Sequence, residues 1–425
     1  MTQKKYKIVM VSDTISAISG VSLQTRYIVD HLVKTGMFQI ICLGAAMKHP
    51  DYRPQKFQEW GDSVVNIPTD GFAPINMVRQ ILDIEKPDAF WIMSDPRFYE
   101  EFFSIENEVH QQCPILWNVI WDNYPVPLYN KHFYAATDFL GCINKLTFDI
   151  MKQMGFEDKA KYIPHGVPED TFKILDAQTV KKAKIGALGI EKKDAFILFY
   201  NSRNALRKRT GNAIVAFKDF LQMLPEKERD DCLFCMQTPP NDPEGQNLFT
   251  VVQDLELTGK IAFTSGRVDD KTLCEFYNFA DATICPSSEE GFGLSCLESL
   301  MCGTPVIATK TGGLQDQVVD ADTGDVFGAC LKPDARSYVG SQQTPYIWSD
   351  HVDPSTLAVE IKKIYDLKKS NKNFKDEIAG QKARDSVVRR FNLEEVKKTW
   401  EQEIVRCIEE YKSPATKELR QAVEI

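Results

Sequence analysis

Short runs of apolar, often β-branched residues alternate with longer stretches of helical periodicity in the first third of the chain. The run from Lys7 to Asp13 predicts a strand, and the segment from Val21 onward predicts a helix that ends at Gly36. Because strands separated by helices form parallel, doubly wound sheets, this alternation predicts an open α/β domain. The further strands predicted for it span residues 39–45, 63–68, 88–94, 114–121 and 138–144.

The same alternation begins again after residues 161–172, a segment whose two prolines and one glycine suit an interdomain linker. We therefore predict an α/β fold with two facing doubly wound, Rossmann-like domains. Ligands usually bind at the carboxyl ends of the strands in such domains, so a cleft is expected there. The second set of strands is predicted at residues 195–202, 231–238, 260–265, 282–287 and 304–309.

Two segments near the end of the chain fall outside this alternation. Apolar residues at near-helical spacing predict a long amphipathic helix over residues 393–411. Residues 330–351 fit neither periodicity and are interpreted as an insertion or a lid-like loop. The predicted boundaries divide the chain into an N-terminal domain, a C-terminal domain and a helix that packs back on the first, over residues 1–166, 167–392 and 393–425.

A strand, a polar turn, an amphipathic helix and another strand follow each other over residues 282–309. Glu290 lies just before the predicted helix, and Glu298 lies about a turn and a half inside it. The backbone amides at the helix start, from Phe292 to Leu294, are suited to bind an anion. Both carboxylates could thus face a ligand held over the helix start, although a turn residue and a solvated helix residue would show the same spacing.

A basic turn follows the predicted strand 195–202 and precedes a helix. Lys208 follows Arg203 by five positions, and Arg207 and Arg209 lie beside Lys208. Cations in such a turn could stabilise the negative charge that grows on a leaving phosphate. A solvated basic turn would have the same composition.

Taken together, the two segments resemble the retaining GT-B glycosyltransferases of family 4, the glycosyl transferases group 1, which include many bacterial lipid and polysaccharide sugar transferases and the sucrose synthases. The likeness extends over nearly the whole chain. It implies that Glu290 binds hydroxyls of the donor sugar and that Glu298 binds the ribose of the nucleotide. It also implies that Arg203 and Lys208 neutralise the donor diphosphate.

The resemblance further implies an acceptor-side N-terminal domain and a C-terminal domain that binds the nucleotide sugar. Where the family commonly has histidine and aspartate beside the acceptor, this chain has Trp121 and Asp122. Tryptophan cannot exchange protons as histidine does, so any acid–base task falls to Asp122, to the donor phosphate or to no group. We interpret Trp121 as an exposed ring that forms a wall of the acceptor pocket. The remaining donor contacts implied by the resemblance are Gly20, Gly266, Val268, Gly291, Phe292, Gly293 and Leu294.

Charge and cysteine content narrow the class of protein. The formal net charge of −9 argues against a surface built to hold polyanions, but a local basic patch could still bind a diphosphate. The 11 scattered cysteines favour reduced thiols and a cytoplasmic location, and contact with a membrane surface stays open. The pair Cys232 and Cys235 lacks a second pair, and the carboxylates of Asp320 and Asp322 follow the predicted nucleotide site, so no metal site is predicted.

We therefore predict a retaining hexosyl- or pentosyltransferase that needs no metal or other cofactor. Its donor is a UDP- or GDP-sugar, and its acceptor is a hydroxyl of a molecule such as a glycan or a lipid. One alternative is a catalytically inactive protein that binds sugar nucleotides, because Trp121 and Asp316 depart from the family pattern. The other is sugar transfer to modified bases in DNA, which the basic residues 207–209 favour and the net charge opposes.

Overall fold

The computed structural model describes residues 5–264, 266 and 268–413. The chain divides into two compact units. The first holds the described residues up to His165, Gly340–Tyr346 and the described residues from Glu394 onward, and the second holds Gly166–Val339 and Ile347–Leu393. The predicted boundaries differ from these by one residue, except that 340–346 group with the first unit instead of the second.

Each unit is built on its own sheet. The strands of the first unit are β1 (Tyr6–Asp13), β2 (Phe38–Ala45), β3 (Gln55–Lys56), β4 (Val64–Pro68), β5 (Ala89–Ser94), β6 (Ile115–Val119), β7 (Phe139–Cys142) and β8 (Ala160–Tyr162). Those of the second are β9 (Phe196–Asn201), β10 (Cys232–Gln237), β11 (Ile261–Thr264), β12 (Ala282–Cys285), β13 (Val306–Thr309), β14 (Gly328–Leu331), β15 (Ala335–Val339) and β16 (Ile347–His351).

Helices connect the strands. Those that precede β9 are α1 (Gly20–Lys34), α2 (Ile75–Ile84), α3 (Glu100–Phe103), α4 (Glu106–His110), α5 (Lys131–Ala135), α6 (Lys145–Gln153) and α7 (Ala177–Leu188). Those that follow it are α8 (Thr210–Gln222), α9 (Glu226–Arg229), α10 (Leu248–Asp254), α11 (Asp270–Phe279), α12 (Leu294–Met301), α13 (Gly312–Val318), α14 (Pro354–Ser370), α15 (Phe374–Ile378), α16 (Gly380–Arg390) and α17 (Leu393–Glu410). No described helix combines the length and the apolar character required to cross a membrane.

The sheet of the first unit has eight strands in the order β3-β4-β2-β1-β5-β6-β7-β8. The pairings are parallel except that of β3 with β4. The sheet of the second unit has six strands, all parallel, in the order β11-β10-β9-β12-β13-β14. Two largely parallel sheets with their connecting helices confirm the predicted fold class.

Helix α17 is part of the core of the first unit. Its Trp400 is 1% exposed and lies edge-on to Trp91 of β5 and Phe139 of β7, at ring-centroid distances of 5.5 and 5.8 Å. Gly141 of β7 lies under the same ring, where a Cβ atom would come within 2.4 Å of it. The strand therefore needs a residue without a side chain at this position.

The interpretation of residues 330–351 as a loop is wrong. Strand β14 ends at Leu331, and β15 and β16 form an antiparallel hairpin with Tyr338 opposite Trp348. Every residue of β15 is exposed, so the strand lacks the alternation of apolar and polar residues that reveals a half-buried strand.

All 11 cysteines are unbridged, and ten of them are buried. Burial raises the pKa of Cys235 to about 12 and, as the largest cause, that of Cys232 to about 12. Both thiols are thus held in the protonated form in strand β10, which is the state of a core residue and not of a reactive one.

Replacing Gly141 with alanine should destabilise the first unit by about 1–3 kcal/mol, because the new methyl group must displace the Trp400 ring from a filled core. Gly186→Ala is the matched control, since Gly186 lies in helix α7 with no atom near its missing Cβ. That substitution should stabilise the protein by about 0.5–1 kcal/mol. Thermal unfolding measures both, and equal effects would contradict the packing argument.

Candidate functional site

The polar turn between β12 and α12, residues 286–293, is the predicted donor turn. It is largely buried in the second unit. Strand β12 leads into it, and α12 begins directly after Gly293, whose φ of +89° favours glycine. A Cβ atom on Gly293 would lie 2.5 Å from Leu314. The amide of Gly313 donates to the carbonyl of Glu290 at 3.1 Å, and a Cβ on Gly313 would meet the backbone of Phe292 at 2.7 Å. The turn is therefore fixed against the start of α13 before any ligand binds.

The basic turn is joined to this donor turn through the backbone. The amide of Ser288 donates to the carbonyl of Arg207 at 2.8 Å, and its hydroxyl donates to the same carbonyl at 3.1 Å. Lys208 follows in a short 3-10 turn, and its ammonium donates to the Glu290 carboxylate. The structure thus brings together Lys208 and Glu290, which the sequence placed in separate motifs.

Lys208 and Glu290 form a buried ion pair. Their side chains are 13% and 11% exposed, and Arg207 adds a second cation at 3.7 Å from the other oxygen of the carboxylate. Burial alone would raise the pKa of Glu290, but the charges of Lys208 and Arg207 outweigh it and hold that pKa below its ordinary value. The carboxylate also accepts from Ser287 at 3.1 Å. It is therefore ionised and well placed to accept hydrogen bonds from hydroxyl groups.

Arg203 lies elsewhere in the basic turn. Its guanidinium binds both oxygens of Asp242, at 2.8 and 3.0 Å, and lies 3.2 Å from Glu244. The side chain of Arg203 is 56% exposed, whereas that of Asp242 is 9% exposed. Arg207 and not Arg203 contacts Glu290 in this structure. The role of Arg203 at a diphosphate stays a prediction.

Glu298 is buried on the second turn of α12. The hydroxyl of Tyr277 donates to its Oε2 at 2.7 Å, and the amide of Asn201 lies 3.5 Å from the same oxygen. Burial raises the pKa of Glu298 to about 7, although both hydrogen bonds oppose the rise. The contacts of Tyr277 and Asn201 with Glu298 were not predicted from the sequence. The one signal for Asn201 was its position at the carboxyl end of a predicted strand, where ligands bind.

The remaining predicted donor residues occupy two other places. Gly266 lies in the loop after β11, where its φ is +86° and its carbonyl accepts from Gln237 at 2.6 Å. Val268 follows it and is half-buried, while positions 265 and 267 lie outside the described residues. Gly20 begins helix α1 in the first unit, directly after Ser19, which caps the helix.

Trp121 is buried within the first unit, so the expectation of an exposed ring is wrong. Its exposed fraction is 2%, its indole N–H donates to the carbonyl of Asn123 at 2.6 Å, and Tyr129 lies edge-on at 6.2 Å. Strand β6 ends at Val119, and the chain then turns so that the ring points inward. The neighbouring Asp122 is half-buried. The acceptor-side roles of Trp121 and Asp122 stay predictions.

Comparison with known proteins adds to this geometry. Residues 180–381, which include the basic turn, both glutamates, Tyr277 and Asn201, match the family described as glycosyl transferases group 1. This part of the chain is therefore similar to the glycosyl transferases group 1. The match extends over slightly less than half of the chain and lies in the second unit apart from residues 340–346.

Proteins similar to this chain fall in the same class. A D-inositol 3-phosphate glycosyltransferase of Acidothermus cellulolyticus is 31% identical over 169 residues, which are 39% of this chain and 36% of that protein. Two further curated relatives are also D-inositol 3-phosphate glycosyltransferases. The chain spans between 36% and 47% of the lengths of these three proteins.

Two solved structures share the fold over almost the full chain. A glycosyltransferase from Rickettsia africae matches 96% of this chain and 99% of its own with a TM-score of 0.70 and 17% identity. The HepE protein of Anabaena, solved in complex with UDP and glucose, matches 94% of this chain and 100% of its own with a TM-score of 0.66 and 12% identity. At these identities the likeness shows the fold alone, which is the GT-B fold.

Among the described residues, no group of three or more histidine, cysteine, aspartate or glutamate side chains is arranged to hold a metal ion. Asp320, one of the two carboxylates for which no metal site was predicted, accepts hydrogen bonds from Ser386 and Arg389, at 2.6 Å each.

Lys208→Met should destabilise the second unit by about 3–5 kcal/mol at pH 7, because it leaves the carboxylate of Glu290 buried without its main cation. The pKa of Glu290 is lowered in the folded state, so the pair stabilises above the unfolded pKa of about 4.5 and its contribution disappears as the pH falls through the folded value. The loss should therefore be smaller at pH 4 than at pH 7 in chemical unfolding.

Two further variants control this experiment. Adding Glu290→Gln to Lys208→Met should recover most of the lost stability, since no buried charge then remains unpaired. Lys382→Met removes a cation from the exposed pair with Asp325 and should change stability little. Equal losses in the two lysine variants would contradict a buried pair at Lys208.

Proposed function

We propose that this protein is a retaining glycosyltransferase that moves a hexosyl or pentosyl group from a UDP- or GDP-sugar to a hydroxyl acceptor. The observation that supports the proposal most directly is the buried Lys208–Glu290 pair at the start of α12, with Glu298 farther along the same helix. Cations, an ionised carboxylate and a buried acceptor for ribose hydroxyls match the three parts of a sugar nucleotide.

The reaction we propose needs positioned charges more than a protein nucleophile. When the bond between the anomeric carbon and the phosphate oxygen breaks, the electron pair stays on the departing diphosphate. Lys208 and Arg207 supply positive charge for it, and Arg203 adds a third cation if a donor displaces its carboxylate partners. Glu290 accepts hydrogen bonds from sugar hydroxyls and so orients the ring. The acceptor hydroxyl attacks the same face and gives its proton to a phosphate oxygen.

Two names among similar proteins guide the choice of substrates. The Anabaena structure holds UDP and glucose, which supports uridine as the first base to test. Curated relatives are named D-inositol 3-phosphate glycosyltransferases, which adds inositol 3-phosphate to a panel of glycans and lipids as acceptors. The two alternatives, an inactive protein that binds sugar nucleotides and sugar transfer to modified bases in DNA, are supported by the sequence arguments alone.

A nucleoside diphosphate should bind and raise the melting temperature. UDP or GDP at about one hundred times its dissociation constant adds about 2.7 kcal/mol to the free energy of unfolding. Differential scanning fluorimetry with UDP, GDP, ADP and CDP measures the shift. A chain that responds to none of them would contradict the proposal at its first step, and one that binds but never hydrolyses or transfers a sugar would be the inactive binding protein.

Transfer should continue in the presence of a chelator, because we propose that side-chain cations do the work of a divalent ion. The measurement is the rate of donor hydrolysis and of sugar transfer in excess EDTA, with added magnesium or manganese as the comparison. The configuration of the product at its anomeric carbon, read by NMR, tests retention separately. A strict metal requirement would overturn this account of the leaving group.

The two glutamates should separate in binding experiments. Glu298→Ala should weaken the binding of plain UDP or GDP more than Glu290→Ala does, because only Glu298 is proposed to contact ribose. Glu290→Ala should instead lower turnover of the complete sugar nucleotide. Isothermal titration with plain nucleotide compares the binding of the two variants, and a donor-hydrolysis or transfer assay measures their turnover. Equal weakening of plain nucleotide binding by both variants would remove the two assignments.

A further inference from the structure

The Glu298 carboxylate is held through one of its two oxygens. Oε2 receives the hydroxyl of Tyr277 at 2.7 Å and faces the amide of Asn201 at 3.5 Å. Oε1 has no hydrogen-bond partner among the described residues, and the residue as a whole is 6% exposed. An oxygen of a buried carboxylate that accepts no hydrogen bond from the protein is available to a ligand.

Tyr277 is itself fixed in position. It is fully buried on α11, and its ring lies edge-on to Phe199 at 5.1 Å and to Phe172 at 6.3 Å. Its backbone carbonyl accepts from the hydroxyl of Thr304 at 2.6 Å. The phenol therefore reaches Glu298 from a rigid base.

Asn201 decides which way the phenol proton points. At the end of β9, its Nδ2 donates to the hydroxyl oxygen of Tyr277 at 2.8 Å. A tyrosine hydroxyl has one proton to donate, and with a donor already at its oxygen that proton is directed to Glu298. Burial raises the pKa of Tyr277 far above its ordinary value, so the proton stays on the phenol.

We infer that Tyr277, with Asn201, is a positioning residue that binds one oxygen of Glu298 and leaves the other to accept the ribose hydroxyls of the nucleotide. This inference rests on the proposed function and deepens it. Tyr277 touches neither sugar nor phosphate in this account, and acts through the carboxylate alone.

The charge of Glu298 depends on the same contact. Burial raises the pKa of the carboxyl, Tyr277 and Asn201 lower it, and Asp270 on α11 raises it. The thiols of Cys285 and Cys302 also lie near enough to interact with it. Removing the phenol hydroxyl should therefore leave less of the carboxylate ionised near pH 7, where an ionised acceptor binds hydroxyl donors more strongly.

The test compares nucleotides with and without ribose hydroxyls. Tyr277→Phe should raise the dissociation constant of UDP, or of GDP if that nucleotide binds better, about tenfold at pH 7 and less at pH 9. It should leave the dissociation constant of the matching 2′,3′-dideoxynucleoside diphosphate unchanged at both values. Comparing the two ligands cancels the titration of the phosphates. Asn201→Ala should act in the same direction with a smaller effect, and it serves if the tyrosine variant does not fold.

Tyr365→Phe is the matched control. Tyr365 also donates to a glutamate, Glu228 at 2.9 Å in the same unit, but lies on α14 outside the proposed site. This substitution should change the dissociation constant of neither nucleotide. Equal weakening of both nucleotides by Tyr277→Phe, or no weakening of either, would overturn the positioning role while the proposed function stands. Failure of the unsubstituted protein to bind UDP or GDP would instead overturn the proposed function, and this inference with it.

Discussion

The buried ion pair between Lys208 and Glu290, which lies just before α12, is the constraint around which the second unit is organised. Burying Glu290 alone would cost several kcal/mol, and Lys208 offsets that cost only at hydrogen-bonding distance. The carbonyl of Arg207 accepts from Ser288 and so holds the two turns together, while Gly293 and Gly313 let the backbones meet closely enough. A side chain at either glycine would separate the charges that need each other.

The two glutamates differ in ionisation although they lie close together in the chain, Glu290 just before α12 and Glu298 within it. Glu290 lies beside two cations and is ionised, whereas Glu298 lies beside a phenol and an amide and has a pKa of about 7. Both are buried to a similar extent, so the difference comes from their partners and not from access to water. The second unit thus has an ionised carboxylate just before α12 and, within α12, a carboxylate whose ionisation changes near pH 7.

Much of this could be predicted from the sequence, because strands and helices in a doubly wound domain carry strong periodic signals. The strand at Lys7 to Asp13 and the helix over 393–411 each lie within one residue of the observed element. What failed depends on contacts between distant residues. Strand β15 is exposed throughout, Trp121 turns inward where a short loop follows β6, and Arg203 binds Asp242. No sequence pattern singled out Tyr277, since only the fold brings its hydroxyl to Glu298.

The placement of Trp400 has a consequence for the order in which the protein is made. The first unit completes its core only with a ring that lies more than two hundred residues after the last strand of its sheet. While the chain emerges from the ribosome, the apolar surface beside Trp91 and Phe139 stays uncovered until the second unit has been synthesised. The second unit is continuous in sequence except for residues 340–346, between β15 and β16. The nascent first unit is thus the vulnerable intermediate, and the unit synthesised later is the one able to finish folding first.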